Sequence, residues 1–341
     1  MADILIRKSG EIGHITLNRP HALNALTYQI CLDIESALDS WATDDAVKMV
    51  LMDAAGEKAF CAGGDIQQMY DTAKAGDFDY GRQFWADEYR MNAKLANFPK
   101  PFVALMQGFT MGGGVGVSCH GSHRVVCETS QIAMPECGIG LVPDVGGSLL
   151  LARAPGHVGE YLGTTASRMD AADAIFAGFA DYYIPFANWP DLTKELTNTG
   201  DWEAVDRAAQ PVPDSKLAAM QPLIDQNFAG STIRDILNGL PDNDWAKTTE
   251  KLLRRNAPLS VACTLELIRR VRGFTRIEDA LNMEYRFTYR SASDGDFVEG
   301  IRAAIIDKDR NPKWKHTRLE DVNPMHVSKM LLPLGDAALK L

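Results

Sequence analysis

Two glycine-rich stretches and two acids lie within a short span of this 341-residue chain. The run Gly112-Gly113-Gly114 follows an apolar segment, Phe102-Val103-Ala104-Leu105-Met106, of the kind that forms a buried strand. A backbone free of Cβ atoms at a strand-to-helix turn can point its N–H groups at an anion or an oxyanion. A second stretch, Lys58-Ala59-Phe60-Cys61-Ala62-Gly63-Gly64-Asp65, follows another apolar segment, Met49-Val50-Leu51-Met52. Two strand ends thus offer backbone donors. Downstream come Met134-Pro135-Glu136 and Pro143-Asp144-Val145-Gly146-Gly147. Glu136 has small and apolar neighbours (Met134, Pro135, Cys137, Gly138, Ile139), where partial desolvation would raise its pKa and make it a better base.

These stretches resemble the crotonase (enoyl-CoA hydratase/isomerase) superfamily, and within it the 3-hydroxyisobutyryl-CoA hydrolase branch. The resemblance runs over essentially the whole chain, from Ile15-Thr16-Leu17-Asn18-Arg19-Pro20 to the tail. It rests on Gly108-Phe109-Thr110-Met111-Gly112-Gly113-Gly114-Val115-Gly116 and the two acid-bearing motifs above. Phe297-Val298-Glu299-Gly300-Ile301-Arg302-Ala303 and Ile306-Asp307-Lys308-Asp309-Arg310-Asn311-Pro312-Lys313-Trp314 extend it. It implies an α/β fold with a stacked ββα spiral core. Gly64 and Gly113 are implied as N–H donors of an oxyanion hole for an acyl-CoA thioester carbonyl, and the backbone around Ala62 and Asp65 as a cradle for the adenine end of CoA. Hydratases of the superfamily carry an acid/base glutamate pair; the corresponding positions here are Gly116, which has no side chain, and Glu136. Asp144 stands eight residues after Glu136, where the hydrolase branch has its second acid. The implied activity is hydrolysis of 3-hydroxyisobutyryl-CoA, and of 3-hydroxypropionyl-CoA, in valine catabolism. No metal or cofactor is implied, CoA being part of the substrate.

The chemistry of the residues agrees with this. Thioester hydrolysis develops negative charge on the carbonyl oxygen, and each preorganised N–H donor is worth on the order of 3 kcal/mol to it. Glu136 could activate water or attack the thioester to give a mixed anhydride. Asp144 is suited to hold the substrate hydroxyl or to assist proton transfer to the leaving thiolate. Glu88 adjoins an apolar helix face made by Trp85, Tyr89 and Ala93, at a point where the family carries a substrate-contacting glutamate; the alternative is a solvated helix face. Cys61 has no histidine beside it in sequence, and the family uses its backbone rather than its sulfur. His120 and His123 have metal-like spacing but no sequence neighbour that completes a ligand set. Two other function classes are a hydratase or isomerase of the same superfamily and a non-catalytic acyl-CoA-binding protein.

Elements to position these residues are visible in outline. Short strands (Ile12 to Leu17, Lys48 to Asp53, Phe102 to Met106, Arg124 to Cys127) alternate with helical stretches (Thr27 to Trp41, Phe84 to Ala96, Val115 to Cys119). From about residue 190 the pattern is helical, with Pro211-Val212-Pro213 and Pro241-Asp242-Asn243-Asp244 as linkers. This suggests a spiral core over 1–190 and a helical region over 191–341 that closes the acyl-CoA site. No internal repeat is evident. In the superfamily such helices close over the acyl pocket or mediate association, so a homo-oligomer stays open.

A net charge of −10 argues against nucleic acid as a partner. The densest positive stretch, Lys251, Arg254, Arg255, Arg269, Arg270, Arg272 and Arg276, reads mainly as solvated helix faces, with one or two groups for the CoA phosphates. Six cysteines without a C-x-x-C pair suit reduced thiols. The N-terminal residues lack a charged-then-apolar signal, and no apolar run reaches the ~18 residues of a membrane span. A bacterial cytoplasm is the expected compartment.

Overall fold

The computed structural model describes residues 2–341. Its contacts group into two compact units that are discontinuous in sequence. One takes residues up to 65 with 87–133 and 168–218; the other takes 66–86, 134–167 and 219–341. The sequential division expected at residue 190 is therefore not how the chain packs. Helices Gly147–Arg153 and Val158–Thr165 precede that point in sequence, yet they pack on helix Pro258–Val271.

The first unit is built on two sheets. Its strands are β1 (Ile4–Ser9), β2 (Ile12–Leu17), β3 (Met49–Ala54), β4 (Ala59–Cys61), β5 (Phe102–Met106), β6 (Phe109–Met111), β7 (His123–Val126), β8 (Gln131–Ala133) and β9 (Tyr182–Tyr183). The larger sheet has the order β1-β2-β3-β5-β7-β9 and the smaller β4-β6-β8. Among the described residues only the β1–β2 strand pair is antiparallel. Each successive strand pair, β3 with β4, β5 with β6 and β7 with β8, puts its first member in the larger sheet and its second in the smaller. That repeat is structural only. Strands of three residues are too short to leave a period in the sequence, which accounts for the smaller sheet having escaped notice there.

Parallel strands covered on both faces read as continuous apolar runs, and β3 and β5 do so. On one face of the larger sheet Met49, Leu51, Val103, Leu105, Val125 and Cys127 pack with Trp189, Leu192 and Leu196. The latter three are spaced at helical intervals on helix Trp189–Thr199. Trp189 Nε1 donates to the Ile184 carbonyl at 2.9 Å, which satisfies the buried indole. Helix Tyr28–Ala42 starts where the sequence suggests, with Thr27 accepting from the Ile30 N–H at 3.2 Å as N-cap.

The second unit is helical. Helix Pro258–Val271 buries Leu259, Val261, Cys263, Leu265, Leu267, Ile268 and Val271. Helix Ile277–Ser291 buries Ile277, Ala280, Leu281, Glu284, Tyr285, Phe287, Thr288 and Ser291, an apolar stripe interrupted by one carboxylate. Among the described residues no helix is long and apolar enough to cross a membrane.

Candidate active site

In the first unit the two glycine turns come together. The segment after β4 pairs with residues 23–26: Ala62 N–H donates to the Leu23 carbonyl at 3.0 Å, Leu26 N–H to Gly63 at 2.9 Å, and Asp65 N–H to Leu26 at 2.7 Å. This ribbon is itself anchored. Buried Asn24 donates to the carbonyls of Ala55 and Ala59, both at 2.9 Å, and Arg19 reaches the Ala25 carbonyl at 2.7 Å and Asp65 Oδ2 at 3.0 Å. The N–H groups of Ala62 and Asp65 are thus used inside the fold. A contact from these two residues to an adenine would have to come from carbonyl oxygens or side chains. Gly64 N–H takes no part in the pairing.

The second turn follows β6. Gly112 donates to the Ala133 carbonyl at 3.3 Å, and the short helix Gly113–Gly116 begins there. It is shorter than the stretch Val115 to Cys119 suggested. A Cβ on Gly114 would lie 2.3 Å from the Cys61 carbonyl oxygen, so only glycine allows the two turns to approach this closely. A Cβ on Gly113 would lie 3.1 Å from Glu88 Oε1, 3.3 Å from Leu26 Cδ1 and 3.4 Å from Gly64 N. Gly64, Gly113 and Glu88 therefore surround one point.

Glu88 is buried, only 4% exposed, which decides against a solvated helix face. Its charge has visible consequences nearby. Burial first, and Glu88 among the lesser causes, holds the Cys61 thiol up at about 12 and raises the Cys31 thiol as well. A thiol so raised is no nucleophile at neutral pH. Behind Glu88, Arg90 bonds Glu35 at 2.6 and 2.7 Å and Asp87 at 2.6 Å, fixing the helix Asp79–Ala96 to helix Tyr28–Ala42.

In the second unit Glu136 opens the 3-10 turn Glu136–Ile139 and is buried, as is Asp144. The turn is pinned on several sides. Cys137 Sγ lies 3.2 Å from Thr264 Oγ1 and 3.4 Å from the Gly163 carbonyl. Ala257 N–H donates to the Cys137 carbonyl at 2.9 Å, and Leu141 N–H to that of Glu136 at 3.0 Å. Burial pushes the Cys137 thiol up to about 12, so it packs rather than reacts. Asp144 begins a tight turn closed by Gly147 N–H on the Asp144 carbonyl at 2.7 Å. Glu284 accepts from that turn, and sequence inspection missed it. The available signal was an acid at a core position of an otherwise apolar helix stripe.

Two other groups resolve differently. His123 stacks on Tyr182, with centroids 5.8 Å apart, and its Nδ1 lies 2.9 Å from Ser122 Oγ, so its ring has packing partners. Much of the basic stretch is engaged inside the second unit. Arg254 pairs with Glu250 and Glu320, Arg270 with Glu266, Arg272 with Glu160, and Arg269 donates to the carbonyls of Phe228, Gly230 and Ser231.

Residues 12–331 match the family model for enoyl-CoA hydratase/isomerase. Among curated proteins the chain is 36% identical to a mitochondrial 3-hydroxyisobutyryl-CoA hydrolase of Gallus gallus, covering all of this chain and 91% of that one. Among solved structures it resembles one titled an enoyl-CoA hydratase from Rhodobacter sphaeroides 2.4.1, with 52% identity, a TM-score of 0.95 and full coverage of both chains. A carnitinyl-CoA dehydratase from Mycobacterium thermoresistibile is 41% identical with a TM-score of 0.95, covering 100% of this chain and 99% of that one. With paired glycine turns, a buried acid at each expected place and these similarities over its whole length, the chain belongs to the enoyl-CoA hydratase/isomerase family and has the crotonase fold.

Proposed function

We propose that the protein is an acyl-CoA thioester hydrolase that cleaves 3-hydroxyisobutyryl-CoA, and 3-hydroxypropionyl-CoA, to the free hydroxy acid and CoA. The observation that carries acyl-CoA chemistry is the approach of Gly64 N to the space beside Gly113, two strand-end turns converging where a carbonyl oxygen could be held. The N–H groups of Gly64 and Gly113 stabilise the developing oxyanion. Glu136 acts as general base toward water or as the nucleophile, and its burial supports either role. Asp144 holds the substrate hydroxyl or assists the leaving thiolate, and Glu88 contacts the acyl group beside the donors. Backbone carbonyl oxygens around Ala62 and Asp65 meet the adenine end. These groups supply donors, base and acid, so the reaction is written with no metal or cofactor. All six cysteines are buried and free, which supports a reducing compartment, a bacterial cytoplasm in this proposal. Association into a homo-oligomer belongs to the same proposal and is measured by light scattering.

The solved relative titled a hydratase favours a second activity, water addition to an enoyl-CoA. Gly116 weighs against it, because that buried position offers no carboxylate to pair with Glu136. Parallel assays decide. CoA release from a panel of short 3-hydroxyacyl thioesters should exceed hydration of crotonyl-CoA by a wide margin, whereas hydration at an equal or higher rate would make the chain a hydratase.

A further inference from the structure

We propose that Glu284 is a positioning residue whose buried carboxyl group clamps the turn Asp144–Gly147 and so fixes Asp144 for the reaction. The inference rests on the role given to Asp144 above. Glu284 is fully buried on helix Ile277–Ser291, within the stripe that includes Ala280, Leu281, Phe287 and Thr288. A carboxyl in such a place is costly unless donors surround it. Its Oε2 accepts from Gly146 N–H at 2.9 Å; its Oε1 accepts from Ser148 N–H at 3.1 Å and from the Ser148 hydroxyl.

One of those N–H donors lies within, and the other just after, a turn of unfavourable backbone geometry. Gly147 N–H closes onto the Asp144 carbonyl, with φ of +52° at Val145 and +79° at Gly146, so both central residues are left-handed. That geometry suits Asn and Gly, and a β-branched residue such as Val145 rarely adopts it. Surrounding structure must over-determine a conformation of this kind. The two oxygens of Glu284 do so, gripping the N–H groups on either side of Gly147. Asp144, the residue opening the turn, takes its orientation from that grip. Burial outweighs the three donors and pushes the Glu284 carboxyl up to about 8, with the Asp144 charge adding to the rise.

The test is a double-mutant cycle on CoA release from 3-hydroxyisobutyryl-CoA, using wild type, Glu284→Gln, Asp144→Asn and the double variant. Circular dichroism and melting are recorded for each. Glu284→Gln keeps the shape but turns an amide NH2 toward a backbone donor. Its kcat should fall about 10–100-fold with KM within about twofold, and in the Asp144→Asn background it should change kcat by less than about twofold. Ser148→Ala, which removes only the hydroxyl contact, should give a smaller loss of about threefold with the same non-additivity, and it serves if Glu284→Gln does not fold. Wild-type kcat in both clamp variants, or equal fold losses with and without Asp144, overturns the proposal. Full turnover by Asp144→Asn alone overturns the role of Asp144 and the clamp with it. An impaired Asp144→Asn beside unaffected clamp variants overturns the clamp alone.

Discussion

Replacing Gly113 by alanine adds one methyl group at the point where the candidate donors meet. Gly113 lies in a short helix and outside the left-handed region, so alanine fits its backbone. Alanine is also the better helix former, by up to about 1 kcal/mol. The fold should survive. The new Cβ, however, would stand 3.1 Å from Glu88 Oε1, 3.3 Å from Leu26 Cδ1 and 3.4 Å from Gly64 N. Unstrained contacts of a carbon lie at roughly 3.5–4.0 Å, so Glu88 and Leu26 must give way by a few tenths of an ångström. The methyl then sits beside the Gly64 N–H, where the thioester oxygen is proposed to bind. Loss of one oxyanion donor costs roughly 10²–10³ in kcat, or about 2.7–4 kcal/mol. A fall in kcat of about 10²-fold is expected, with KM little changed because the nucleotide end of the substrate is untouched. Initial rates of CoA release, followed with a thiol reagent over a substrate series, measure it alongside a thermal melt. Turnover within about threefold of wild type and an unchanged melt would refute the oxyanion assignment; a collapsed melt would show that Gly113 serves packing instead.

Glu136→Gln keeps the side-chain volume in its pinned turn but removes the base, so the rate should drop by ~10²–10⁴ while acyl-CoA still binds; near-normal turnover would move the chemistry to another group. Glu284 also makes stability depend on pH. Its folded pKa of about 8 lies above the ordinary carboxyl value, so its contribution is fully present in acid, below the unfolded pKa, and is lost as pH rises toward and through 8. Urea unfolding at a series of pH values should show wild type losing on the order of several kcal/mol relative to Glu284→Gln between about pH 4 and pH 8. A constant difference across that range would contradict the raised pKa.

Much of the first unit could be seen in the sequence. Strands β3 and β5 were plain because strands buried on both faces are near-continuous runs of apolar residues, and the helical stretch read from Thr27 begins where that residue caps the helix. The glycine runs were equally visible, since a residue without a Cβ announces a close approach before its partner is known. Which atoms approach was not visible: that Gly114 abuts the Cys61 carbonyl, and that Glu88 points at the same place as Gly64 and Gly113, depends on pairing β4 beside β6. Strands β4, β6 and β8 are three residues long, below the length at which alternation carries a signal. The grouping of Glu136 and Asp144 with helices beyond residue 219 was hidden too, because sequence order does not record which helices share a core. Glu284 is the sharpest case. Its pattern shows an acid on an apolar stripe, but its partners lie more than 130 residues earlier. Local residue chemistry thus determined the longer strands, the glycine turns and the candidate acids at Glu136 and Asp144. Long-range packing alone decided which backbone donors meet and which buried carboxylate holds the Asp144 turn, because a hydrogen bond is set by distance in space, whatever the separation along the chain.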